Sequence, residues 1–151
     1  MQFIDMTAWY DKYTNLPYKH LGDNPSSGID CFNLCRYVYK HELNIDIPLA
    51  TYDFCNIVDE DWYLKTTIQL IEDATKLNRS DFSWVKVTEP KPYDILLMSI
   101  GSTNITNHCA LCIDNTKLLQ TMIGRNSWVS PYGKYYKQYT TGIYRWNVTK
   151  S

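Results

Sequence analysis

Long apolar runs, an excess of charge of one sign and an even set of cysteines are all missing from this sequence, and each absence removes a class of protein. The longest apolar stretch, Ile95-Leu96-Leu97-Met98, falls far short of the roughly 20 residues a membrane-spanning helix needs. No membrane span is expected. Fifteen basic residues face sixteen acidic ones, for a net charge of −1, with no run of either sign. Neither a nucleic-acid footprint nor a polybasic membrane anchor fits that balance, so no nucleic-acid partner is expected. Five cysteines are an odd number. At least one thiol must therefore stay free or pair with another molecule, which argues against a disulfide framework. Met1 to Tyr13 sets Asp5, Asp11 and Lys12 among aromatics. It has neither the basic nor the apolar region of an export signal, so synthesis in a reducing cytoplasm without a signal peptide is expected.

What the sequence does have is 44% hydrophobic residues in 151 positions. A chain of that size buries about 68–70% of its unfolded surface, so it needs neither disulfides nor a structural metal to hold a core. Proline and glycine, six of each, are scattered as turn punctuation with no linker, repeat or low-complexity tract. A single domain over residues 1–151 is the expectation. Leu16 to Gly28 is dense in turn formers and reads as a long surface loop. Asp30 then suits an N-cap, and Cys31, Leu34, Cys35 and Val38 recur at helical spacing, predicting an amphipathic helix to about His41. Asp59 to Leu77, with Trp62, Leu64, Ile68, Ile71 and Leu77, predicts a second helix. Beyond it the pattern turns to strands: Trp84 to Val87, Tyr93 to Ser99, His108 to Ile113, Lys117 to Met122 and Gly142 to Val148. Helices followed by a run of strands predict an α+β domain, with N-terminal helices packed against one face of an antiparallel sheet of about five to six strands.

Cys31 falls on the first residue after the predicted cap, where the positive end of the helix dipole favours a thiolate. The same residue opens the core-facing stripe, and a buried cysteine often behaves as a small hydrophobe. A nucleophile needs a base, and there are only three histidines. His41 lies ten residues along the same helix, about 15 Å away at 1.5 Å per residue, and cannot reach. His20 sits in the turn-rich loop, a poor place to hold a base. His108 starts a strand of the sheet against which the helix should pack, and is the preferred partner. A third group is usually needed to orient the imidazole. A three-residue turn that sets Ile113 against Lys117 places Gln120 opposite Ala110, on the face of His108 and within side-chain reach. A two-residue turn places Gln120 on the other face.

The segments Pro17-Tyr18-Lys19-His20-Leu21-Gly22, Pro25 and Gly28-Ile29-Asp30-Cys31-Phe32-Asn33-Leu34 resemble the entry loop and nucleophile helix of NlpC-type cysteine peptidases, papain-like enzymes with the pattern P-Y-x-x-G-G…G-x-D-C-S-G-L. Tyr93-Asp94-Ile95-Leu96-Leu97 is similar to the family's G-D-L strand, and His108-Cys109-Ala110-Leu111-Cys112-Ile113 to its H-V-G-I-Y-I strand. The resemblance covers about Tyr13 to Thr121. It implies a papain-like fold in which Cys31 is the nucleophile, His108 the general base and then acid, and Gln120 the orienting group where the family often has His. It also implies that Tyr18 helps to bind substrate or oxyanion. On physical grounds the backbone N–H of Cys31 is an oxyanion donor. No metal or organic cofactor is implied. Phe32 and Asn33 depart from the family's Ser-Gly pair and alter the packing behind the nucleophile; Asn33 reads as a solvated polar residue of the first turn.

The remaining cysteines read as structural. Cys35 falls on the apolar stripe, Cys109 and Cys112 alternate to opposite faces of one strand, and Cys55 has no evident partner. Thirteen tyrosines include a cluster, Tyr132, Tyr135, Tyr136 and Tyr139, suited to a sugar-stacking or docking surface or simply to half-buried strand positions. The first functional expectation is a cysteine hydrolase cutting the γ-D-glutamyl to diamino-acid bond of peptidoglycan stem peptides through an acyl-enzyme. Carriage to the cell wall by other proteins is expected, with a phage tail or virion and a delivered bacterial toxin as the carriers considered. Two alternatives stand beside it: a non-enzymatic adaptor at a phage tail tip, and an acyltransferase or amidase acting on another substrate.

Overall fold

A computed structural model describes residues 8–47, 84–101 and 108–146. The segment predicted as a second helix, Asp59 to Leu77, lies outside the described residues, as does Cys55. The first helix forms where the stripe predicts it. α1 spans Cys31–Val38, and the Asp30 carboxylate accepts the Asn33 N–H at 2.7 Å. That bond satisfies one of the first-turn donors that no helical carbonyl can reach. The chain runs on into a π-helical turn, Tyr39–Leu43, and stops at Asn44, which takes the left-handed conformation (φ 54) that asparagine tolerates.

The loop ahead of α1 is more ordered than its composition suggests. A short 3₁₀ turn at Asp11–Tyr13 precedes two-residue strands β1 (Asp23–Asn24) and β2 (Gly28–Ile29), which pair antiparallel. Two glycines make that pairing possible. A Cβ on Gly22 would meet the Gly28 carbonyl oxygen at 2.3 Å, and one on Gly28, whose φ is 142°, would meet Lys19 Cβ at 2.2 Å. Ile29 N–H donates to Pro17 O at 2.8 Å and Asp30 N–H to Gly22 O at 3.0 Å, so the loop backbone is bonded down to the residue that caps α1.

Among the described residues the main sheet has six strands: β3 (Trp84–Val87), β4 (Ile95–Met98), β5 (His108–Asp114), β6 (Lys117–Met122), β7 (Arg125–Pro131) and β8 (Thr140–Trp146). Their order is β3-β8-β4-β5-β6-β7 and every neighbouring pair is antiparallel. Alternation sorts the side chains onto two faces. Ile95, Leu97, Cys109, Leu111 and Leu119 pack with Cys31, Leu34, Cys35 and Val38 of α1. Leu96, Met98, Ala110, Cys112, Leu118 and Ile143 form a second cluster on the opposite side with Tyr132. Both faces of β4 are therefore buried, which explains its uninterrupted apolar run.

Two further elements lie outside the sequence expectation, β7 and a short helix α2 (Lys134–Tyr139). Tyr136 and Tyr139 of α2 pack on the cluster away from α1, so helices lie on both faces of the sheet rather than on one. The tyrosine cluster thereby divides: Tyr132 is buried, Tyr136 and Tyr139 are half-buried, and Tyr135 is exposed. Asn33 corrects its expectation as well. It is buried, with Oδ1 accepting from Arg36 Nη1 at 2.7 Å, while Arg36 Nε donates to Ile47 O at 2.8 Å. Its side chain ties α1 to the chain that leaves the helix, a role a solvated residue could not fill.

Candidate active site

The β5–β6 turn decides whether Gln120 can serve His108. Its tip holds two residues, Asn115 and Thr116, between the paired Asp114 and Lys117. Continued regularly, that pairing would turn Gln120 to the wrong face. A β-bulge at Ile113 restores the other register, setting Cys112 against Leu118 and Leu111 against Leu119. The next pair in that register is Ala110 with Gln120, on the face of His108. The side chains meet: His108 Nε2 and Gln120 Oε1 are 2.8 Å apart, and both residues are buried.

Gln120 is fixed from its other end by Ser130 of β7, whose Oγ accepts from the Gln120 amide at 2.6 Å. With the amide nitrogen so engaged, its oxygen faces the imidazole, and an oxygen can only accept. The proton of the neutral ring is then on Nε2, which leaves Nδ1 as the nitrogen able to take a proton. Trp128 pairs with Gln120 across β6 and β7, and the Arg125 guanidinium lies over its indole at 3.6 Å. Directly opposed residues share a face of the sheet, which puts Trp128 on the side of Gln120. Neither Ser130 nor Trp128 was accessible to sequence reasoning, because β7 carries Asn, two Ser and Pro and shows no strand alternation.

Cys31 stands at the start of α1, 3% exposed. A hydrogen bond from the Cys109 thiol, foremost, and then the His108 imidazole hold the Cys31 thiol well below its ordinary range, against burial that pushes it up. Cys109 responds in the opposite sense. Its hydrogen bonds with Cys31 and Cys35, together with burial, push its thiol well above the usual range. The surroundings favour the charged form at Cys31 and the protonated form at Cys109. Cys112, on the other face, is pushed up to about 12 by burial and then by Asp94 and Asp114. Of these three thiols, Cys31 is the one whose surroundings favour the thiolate, the form that reacts as a nucleophile.

The structure therefore sets His108 and Gln120 side by side on the sheet face that carries Ala110 and Leu118, at the end of β5 beside which Cys31 stands. Tyr18 is half-buried on the segment that Ile29 anchors through Pro17 O. His41 lies against Tyr37, with ring centroids 4.2 Å apart, on the exposed side of the helix. Cys35 is core, as its stripe suggests. The contact that sequence reasoning missed is Cys109 against Cys31. The signal for it was available, since the strand residue after His108 faces α1 and so reaches the helix start.

Comparison with known proteins gives a consistent result. The model of the NlpC/P60 family matches residues 15–145, most of the chain. No characterised protein matches in a comparison with curated sequences. Among solved structures, the NlpC/p60 domain of the peptidoglycan hydrolase SagA superposes with a TM-score of 0.54 at 21% identity, covering 89% of this chain and 90% of that one. A Staphylococcus aureus Mu50 protein described as similar to a lipoprotein of the NLP/P60 family superposes with a TM-score of 0.52 at 18% identity. It is covered over 37% of its length, against 89% of this chain. At these identities the likeness is one of fold, and the fold is the papain-like α+β arrangement described above.

Proposed function

The chain belongs to the NlpC/P60 family, and from that premise we propose that it is a cysteine hydrolase cleaving amide bonds of peptidoglycan stem peptides through an acyl-enzyme at Cys31. The family comprises cysteine peptidases and amidases, and the SagA domain that shares this fold belongs to a peptidoglycan hydrolase. The observation that carries the reading is the buried Ser130-Gln120-His108 relay beside a thiol whose charged form is favoured.

In the proposed reaction Cys31 gives its proton to His108 and its sulfur attacks the carbonyl carbon. The backbone N–H of Cys31, a first-turn donor without a helical acceptor, faces the developing oxyanion, with Tyr18 as the second candidate ligand. His108 then protonates the leaving amine, and water attacks the thioester with His108 again as base. Gln120 orients the ring and accepts the hydrogen bond from its Nε2–H throughout. The γ-D-glutamyl to diamino-acid linkage is the bond proposed, and carriage to the wall by a phage particle or another delivery protein is the route proposed. Stem peptides containing that linkage, incubated with the parent and with Cys31→Ala and followed by mass spectrometry, test the reading. Cleavage by the parent alone supports it. Inertness of the parent, with Cys31 unreactive to iodoacetamide at neutral pH, contradicts it.

A further inference from the structure

Three reduced thiols meet at the start of α1, and catalysis uses one of them. Cys31, Cys35 and Cys109 are 3%, 1% and 0% exposed and belong to one packed cluster. Cys35 lies one turn along the helix from Cys31, on the side packed against β5. Cys109 projects from β5 toward the helix, and its thiol hydrogen-bonds to both. Cys112 is on the far face of the sheet, and its thiol donates to Asp114 O. The orientations of the three are unequal. Cys31 and Cys35 leave one helix with parallel Cα–Cβ bonds, whereas Cys109 approaches them from another element, with its thiol hydrogen-bonded to each.

We propose that Cys31 and Cys109 form an oxidative modification site, in which a hydroperoxide converts Cys31 to a sulfenic acid and Cys109 condenses with it to a disulfide that reversibly removes the nucleophile. In the first step the Cys31 sulfur attacks the terminal peroxide oxygen. The O–O bond breaks, and the leaving hydroxide or alkoxide takes up a proton. In the second, the Cys109 sulfur attacks the Cys31 sulfur, the S–O bond breaks, and the hydroxyl leaves with the Cys109 proton as water. The peroxide gains two electrons and the two thiols supply them. The thiolate is the form that hydroperoxides oxidise, and Cys31 is the thiol whose charged form the site favours. Any opening that admits a peptide to this sulfur admits a peroxide. With no thiol against it, a sulfenic acid proceeds under further oxidant to sulfinic acid, which dithiothreitol does not reverse. Cys109 thus protects the nucleophile by capturing it.

Peptide mapping under non-reducing conditions reads this without relying on hydrolysis. The whole protein is treated with a small molar excess of hydrogen peroxide, quenched, digested, and assayed for Cys31 labelling by iodoacetamide before and after dithiothreitol. The parent and Cys35→Ala are expected to yield a Cys31–Cys109 linked peptide and to regain labelling on reduction. In Cys109→Ala, Cys31 is expected as sulfinic acid, with recovery of labelling reduced at least about tenfold. Cys109→Ser serves if the alanine variant fails to fold, and the parent map alone is decisive. Sulfinic Cys31 in the parent without the linked peptide, or a Cys35–Cys109 link in its place, overturns the proposal. A protein that forms the link yet never cleaves stem peptides would contradict the hydrolase reading and leave this one standing.

Discussion

Removing the Gln120 side chain separates an orienting amide from an ordinary buried polar residue. Gln120→Ala deletes the 2.8 Å contact to His108 Nε2 and leaves Ser130 Oγ without the amide that donates to it at 2.6 Å. A hydrogen bond to a charged group is worth about 1.5–3 kcal/mol. The bond to His108 matters most when the ring carries the proton taken from Cys31. At 1.36 kcal/mol per factor of ten, its loss should slow acylation by roughly one to two powers of ten. The same energy moves the pH profile of Cys31 alkylation upward by at most about one to two units, because the protonated imidazole beside the thiolate is destabilised. Stability should fall by about 1–3 kcal/mol for the buried groups left unsatisfied, read by urea denaturation. Gln120→Asn should behave nearly as badly, since one methylene fewer draws the oxygen back about 1.5 Å, beyond hydrogen-bonding distance. An alkylation profile identical to the parent's, in a variant with unchanged near-ultraviolet circular dichroism, refutes the orienting role.

Other consequences can be checked in the same preparations. Because Cys31 is held well below the ordinary thiol range, its alkylation should slow less as pH falls from about 8.5 to 7 than that of a free thiol, which slows by more than tenfold. Cys112, pushed up to about 12, should remain unlabelled over that window. Arg145 clasps Asp94 through two 2.8 Å bonds, and Lys91 N–H adds a third to the same carboxylate. Asp94→Ala should cost about 3 kcal/mol in urea denaturation, the low end for breaking a buried pair because Arg145 is partly exposed. Asp30→Ala, which removes the cap of α1, should cost about 1 kcal/mol and slow Cys31 labelling. Gly28→Ala puts a Cβ within 2.2 Å of Lys19 Cβ at a φ of 142°. It should destabilise by more than about 1 kcal/mol, seen as a lower thermal midpoint.

Helix α1 and the strands carrying His108 and Gln120 were legible because each rule acts locally: a cap residue, a stripe at helical spacing, alternation bounded by turn formers. The register that unites His108 with Gln120 was legible only as a choice between two turns. It depends on the bulge at Ile113, which no residue type there announces. β7 escaped notice because it is an edge strand that ends at Pro131 and has a second register shift opposite Gln120 and Met122. Edge strands carry less of the alternation that marks buried ones. α2 is six residues long and half tyrosine, too short to show a helical period and rich in a strand-favouring residue. Asn33 looked solvated because burial of a polar side chain depends on its partner, here Arg36, whose role in turn depends on where Ile47 returns. The contact of Cys109 with Cys31 is a tertiary fact of the same kind, set by how α1 lies on β5.

The central step of the proposed reaction is acylation of Cys31 by the substrate, with His108 and Gln120 in support. Rapid quenching of the protein with a stem peptide, followed by intact-mass and peptide mass spectrometry, measures it directly. A transient thioester of the substrate's acyl half on Cys31, absent in Cys31→Ala and slower to form in Gln120→Ala, is the predicted result. Cleavage with no adduct on Cys31, and undiminished in Cys31→Ala, would rule that step out.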